Sequence, residues 1–191
     1  MSNFCSECAK RKEDCCRSDY IKFITLKDAV RIAKSLNAPI KKIIIYGKLS
    51  AKDKKTKLYI KKIHNYYYDL ASRDEKILQL KRKKDGSCFF LSKMGHCTIY
   101  KVRPLICQVF PFWYAANGEI IIDHNGMDCD IVKNKTTYNQ KIKRFYEVEI
   151  FKNFSQNKLG LKKLLIKLKK EIAIYQKNID NFITTNNIKN Q

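Results

Sequence analysis

Asp85-Gly86-Ser87-Cys88-Phe89-Phe90-Leu91 precedes Cys97-Thr98-Ile99-Tyr100-Lys101-Val102-Arg103-Pro104-Leu105-Ile106-Cys107-Gln108-Val109-Phe110-Pro111-Phe112 by a short loop. Three cysteines, an Arg-Pro step and a Phe-Pro-Phe turn are packed together here. The alternation Ile77, Leu78, Leu80, a Lys-Lys-Asp-Gly turn, and Cys88-Phe89-Phe90-Leu91 predict a hairpin. Met94-Gly95-His96-Cys97 reads as a tight loop presenting Cys97, with His96 as an alternative ligand. Pro104 suits a first helical turn, where its missing N–H costs nothing. Cys107 then falls near a helix N-terminus, whose dipole favours a thiolate.

Outward from this stretch the cysteines continue. Cys129 follows on a loop, and Cys5, Cys8, Cys15 and Cys16 precede it, eight in all. Cys5-x2-Cys8 has the spacing at which two thiolates share one metal in zinc and iron–sulfur sites. Cys15 and Cys16 are adjacent. In extended backbone they face apart and serve two centres; in a bent turn they hold one polynuclear cluster; or one of them is a small core residue. A metal held by four thiolates carries surplus negative charge. Arg103, the one arginine between residues 83 and 143, can offset it through N–H···S contacts, with Tyr100 packed beside it.

The remaining elements frame this module. Ile21 to Ile24 reads as a short strand. Thr25 with Asp28 forms a capping-box pattern, and Leu26, Ala29, Val30, Ala33 and Leu36 repeat at helical spacing. Pro39 starts a second short helix over 39–47. Residues 50–57 are a Lys-rich linker, and Leu58 to Leu70, with Tyr66-Tyr67-Tyr68, is open between helix and strand. Asn117-Gly118 turns a hairpin between Trp113-Tyr114 and Ile120-Ile121-Ile122. From Ile131 onward two helices are expected, the second carrying Leu161, Leu164, Leu168, Ile172, Tyr175, Ile179 and Phe182.

These motifs together resemble the YkgJ-type cysteine-cluster family, the zinc- or iron-chelating domain named for its CxxCxxCC signature. The resemblance runs from Phe4 to Cys129. It rests on the CxxC and Cys-Cys pairs, the Thr-x-x-Asp-Ala-x-Arg-Ile-Ala helix, Asp-Gly-x-Cys-x-Phe-Leu, and Cys-x-x-Tyr-x-x-Arg-Pro-x-x-Cys-x-x-Phe-Pro. It implies that Cys5, Cys8, Cys15, Cys16, Cys88, Cys97, Cys107 and Cys129 are metal ligands, for zinc or iron, including a [4Fe-4S] cluster. Two departures stand out. Six residues separate Cys8 from Cys15, where the signature has two or three, and Gln108 replaces a common arginine. Some relatives are flagellin lysine-N-methylases, which makes a metal-dependent protein-modifying enzyme the alternative function. No Gly-rich strand–helix fingerprint for a methyl donor is present. Tyr100, Arg103, Asp123 and His124 supply no nucleophile–base pair.

Composition bounds the rest. The chain has 191 residues and a net charge of +22. Residues 87–130 carry three basic and four acidic side chains, so the excess lies in the linker and the C-terminal helices. Only seven of the 40 basic residues are arginine. Lysine lacks the planar fork suited to base recognition, so weak, nonspecific nucleic-acid binding is expected, with a zinc-stabilised nucleic-acid module as a further alternative. The Lys-rich face of the last helix is a candidate surface for a protein partner. No apolar run spans a bilayer and the first residues lack a signal-peptide pattern, so the cytoplasm is the expected compartment. Reduced thiols there favour metal binding over disulfides. The expected architecture is α+β: a cysteine-cluster domain over 1–130 with short hairpins and helices, and a helical extension over 131–191.

Overall fold

A computed structural model describes residues 15–17, 22–48, 76–110, 112–114, 120–122 and 158–188. Helix α1 (Leu26–Leu36) starts at Thr25, whose hydroxyl accepts the Asp28 N–H, while the Asp28 carboxylate accepts the Thr25 N–H. This is the reciprocal cap read from the sequence. Leu26, Ala29, Ile32 and Ala33 form its buried face. Asn37 ends it in the left-handed region at φ 47°, its N–H returning to the carbonyls of Ala33 and Lys34.

Pro39 caps a single helical turn, α2 (Ile40–Ile43), which passes directly into strand β1 (Ile44–Lys48). The helix expected over 39–47 therefore stops halfway. Ile44, Ile45 and Tyr46 are β-branched or aromatic, and they gain a sheet partner that helical geometry would deny them. That partner is β2 (Lys76–Leu80), antiparallel, with Tyr46 opposite Leu78. Ile77, Leu78, Gln79 and Leu80 are all buried, as in a strand covered on both faces. On the far edge of β2 the expected short strand is reduced to one bridge, Phe23 to Gln79. It is flanked by hydrogen bonds from Ile24 N–H to the Leu78 carbonyl and from Leu80 N–H to the Lys22 carbonyl, both 3.0 Å. Strand β2 thus pairs with β1 along its length; the expected hairpin forms only at its turn end, through the Arg82–Cys88 bridge and the bonds from Lys83 N–H to the Ser87 carbonyl and from Phe89 N–H to the Lys81 carbonyl, 2.8 and 3.0 Å.

Beyond β2 the chain makes two tight loops and a 3-10 turn (Tyr100–Val102). Helix α3 (Leu105–Val109) follows, then the antiparallel pair β3 (Phe112–Tyr114) and β4 (Ile120–Ile122). Helix α4 (Lys158–Thr185) runs for 28 residues and packs against α1 and α3. Its buried stripe, Leu161, Leu165, Leu168, Ile172, Tyr175 and Ile179, joins the same core as Phe23, Ile32 and Leu105. The first C-terminal helix expected, the Tyr66–Tyr68 segment and the linker lie outside the described residues. The architecture is a small α+β fold, and no described helix is long and apolar enough to cross a membrane.

Candidate metal centre

Two loops of the same design present Cys88 and Cys97. In the first, Lys83 N–H donates to the Ser87 carbonyl at 2.8 Å, Gly86 takes φ 79°, and Arg82 bridges Cys88. The Asp85 carboxylate accepts the Ser87 hydroxyl at 2.7 Å and its N–H at 2.9 Å; these bonds, the hydroxyl first, hold its pKa below the usual carboxylate range. In the second loop, Ser92 N–H donates to the His96 carbonyl at 2.8 Å, Gly95 takes φ 80°, and Leu91 bridges Cys97. Glycine meets both positive-φ positions without steric cost. The Lys83 ammonium donates to the Leu91 carbonyl, tying one loop to the other. His96 has an exposed side chain at the second loop's tip, with its N–H on the Ser92 hydroxyl.

Cys107 is positioned by a buried polar node. Pro104 supplies the cap position of α3, and the next N–H, of Leu105, donates to both Asp28 carboxylate oxygens at 3.1 and 3.3 Å. Asp28 also accepts from the Arg31 guanidinium at 2.5 Å. Arg31 reaches on to the Arg103 carbonyl at 3.0 Å, which Gln108 meets from the other side at 2.7 Å. From α4, Glu171 accepts the Thr25 hydroxyl at 2.5 Å. Helix α1, helix α4 and the Arg103–Gln108 segment are therefore joined through Thr25 and Asp28. Burial pushes the Asp28 carboxyl up, while Arg31 and the Leu105 N–H pull it back. Gln108 is used here as a backbone clamp.

The N-terminal cysteines meet this module. Cys88 N–H donates to the Cys16 carbonyl at 2.6 Å. The Cys16 thiol donates to Cys15, and that bond, with burial and the nearby sulfurs of Cys15, Cys88 and Cys107, pushes it far up. Burial is the leading cause for Cys107, which also feels Cys15, Cys88 and Cys97, and for Cys88. Burial thus acts on the Cys107 thiol against the helix-end effect expected from the sequence. The helix has five residues, and desolvation disfavours the charged thiolate within it. Five sulfurs thus lie in one electrostatic neighbourhood, all soft donors of the kind zinc and iron accept. Among the described residues no group of three or more Cys, His, Asp or Glu side chains is arranged to hold an ion. Cys5, Cys8, Cys129, Asp123 and His124 lie outside the described residues.

Arg103 stacks its guanidinium 4.2 Å over the Tyr100 ring, and Tyr100 is 39% exposed. Lys22 was not singled out in the sequence, yet its charge reaches Cys15, Cys16, Cys88 and Cys107. A lysine beside a short apolar strand reads as a solvent-facing residue, and nothing local signals otherwise. On α4 the apolar stripe faces the core, and Lys162, Lys163, Lys167, Lys169 and Lys170 are exposed.

The family model "CxxCxxCC: Putative zinc- or iron-chelating domain" matches residues 4–142. No solved structure matches the chain.

Proposed function

The chain belongs to the CxxCxxCC family, and on that premise we propose that it holds zinc or iron through cysteine thiolates. The observation that carries this reading is the shared neighbourhood of Cys15, Cys16, Cys88, Cys97 and Cys107, contributed by three separate parts of the chain. Cys5, Cys8 and Cys129 complete the ligand set, and Tyr100 and Arg103 flank it. Eight thiolates suit two tetrahedral sites, whereas a single four-cysteine cluster leaves four over. Bound zinc supplies a cross-link between loops, and an iron–sulfur cluster adds electron transfer. The chain's own residues do the rest. The two glycine loops aim Cys88 and Cys97, Asp28 fixes the start of the Cys107 helix, and the Cys16 carbonyl holds the N-terminal segment against Cys88. The protein works in the cytoplasm, where these thiols stay reduced.

Anaerobic purification with metal analysis tests this reading. A brown protein with broad visible absorption identifies an iron–sulfur cluster; a colourless one with stoichiometric zinc identifies a structural site. Metal binding rarely precedes folding, so it contributes stability directly. A strong chelator under reducing conditions is expected to lower the melting temperature. A metal-free preparation with an unchanged melt and no uptake of either ion refutes the proposal.

A further inference from the structure

A groove of about 480 Å³ lies between α1 and the end of α4, lined by Leu26, Lys27, Val30, Arg31, Lys34 and Phe182. Lys27, Arg31 and Lys34 stand at i, i+4 and i+7, so one stripe of α1 carries three cations over about 10 Å of helix axis. Leu26, Val30 and Phe182 make the rest of the lining apolar, with Val30 and Phe182 half-buried. Arg31 is held in place, donating to the Asp28 carboxylate at 2.5 Å and to the Arg103 carbonyl at 3.0 Å. Lys27 and Lys34 are exposed, and no described carboxylate pairs with either.

Among the described residues, every charged side chain lining the groove is positive. Its complement is therefore an anion that also carries apolar surface. A small molecule is a poor fit, since ligand pockets enclose most of what they bind and this groove opens between exposed lysines. A second copy of the chain is a poorer one, because each copy brings a net charge of +22. An acidic helix answers both features. Its own carboxylates at i, i+4 and i+7 match the cation spacing, and its apolar stripe meets Leu26, Val30 and Phe182, as amphipathic helices dock in grooves.

We infer that the groove between α1 and α4 is a docking site for an acidic amphipathic helix of a partner protein. The surface contains none of the cysteines, and the inference does not depend on metal binding. Charge brings the helix in and apolar contact holds it, so affinity should fall with salt without vanishing. Arg31 is left intact in the test, because Asp28 and the start of the Cys107 helix share its node.

The test uses the full-length reduced chain and a fluorescently labelled helical peptide, with a leucine stripe flanked by glutamates at i, i+4 and i+7, read by polarisation. Lys27→Gln with Lys34→Gln is expected to weaken binding by about tenfold, the upper range for two exposed ion pairs. Val30→Ser should weaken it by about fivefold through lost apolar contact. Lys162→Gln with Lys163→Gln removes the same charge from exposed positions of α4 outside the groove, and affinity should stay within about twofold of wild type. Thermal melts confirm that each variant is folded. A scrambled peptide of the same composition keeps the charge, loses the stripe, and should bind far more weakly. No binding by wild type, equal loss in the two lysine pairs, an unaffected Val30→Ser, or equal binding of the scrambled peptide each overturns the inference. Tighter binding of phosphatidylserine vesicles or of a single-stranded oligonucleotide, lost with Lys27 and Lys34, also overturns it, because the groove then serves another class of partner.

Discussion

Asp28 is the residue whose loss should damage the fold most for its size. Replacing it with alanine leaves Thr25 Oγ capping the helix, because that bond uses the N–H of residue 28. Three other partners lose their acceptor. Leu105 N–H, buried at the start of the Cys107 helix, loses both carboxylate oxygens, which costs about 2–3 kcal/mol for a charge-assisted bond left unmade. Thr25 N–H loses a long bond of 3.4 Å, half of the capping box, about 0.5–1 kcal/mol. Arg31 loses its ion pair, but its side chain is 31% exposed and keeps the Arg103 carbonyl, so rehydration limits this to under about 1 kcal/mol. The expected loss is about 4 kcal/mol, a large part of the roughly 5–15 kcal/mol that holds a typical domain together. Urea unfolding reads it as a lower midpoint with an unchanged slope. Asp28→Asn keeps one acceptor for Leu105 and should lose less. A loss below about 1 kcal/mol for Asp28→Ala, or equal losses for the two variants, refutes the claim that the Leu105 contact dominates.

Tyr175→Phe removes the hydroxyl that accepts the Leu78 N–H at 2.9 Å in the core; the orphaned donor should cost about 1–3 kcal/mol in the same assay, and a change near zero would show that the bond is not needed. Gly86→Ala meets no atom within 4 Å, so its whole cost is the left-handed φ of 79°. About 1–2 kcal/mol is expected, with weaker metal uptake because Cys88 follows the turn; a neutral outcome would mean that the loop relaxes freely. The exposed lysines of α4 should give only loose, salt-sensitive retention on nucleic acid, and a complex surviving about 0.2 M salt in a filter-binding assay would contradict this.

Local patterns in the sequence carried the elements whose partners are local. Thr25 and Asp28 are three residues apart, so the cap was readable; both loops announce themselves by Asp85-Gly86 and by Met94-Gly95 before a cysteine; Asn117-Gly118 marked the β3–β4 pair. Contacts between distant residues were not readable. Strand β2 was found, but its partner β1 lies across a long Lys-rich stretch, and the nearer Cys88-Phe89-Phe90-Leu91 segment competed for the pairing. Asp28 advertises its bond to Thr25 and conceals the one to Leu105, because a carboxylate's remaining lone pairs leave no trace in spacing. The cysteine count and the Arg-Pro-x-x-Cys module pointed to a thiol centre.

The joint between Thr25 and Glu171 has a consequence for synthesis. Its two ends are separated by 146 positions, whereas each cysteine loop closes over six or fewer. Short closures are fast and distant ones slow. A nascent chain leaving the ribosome can form both loops and present Cys88 and Cys97 long before α4 exists. During that interval Thr25 lacks its carboxylate partner and Leu78 its tyrosine, so the sulfurs are offered while the body that encloses them is still incomplete. The order that this connectivity favours is cysteine loops first and the final helix last, so the thiols are formed into loops before the body around them is complete.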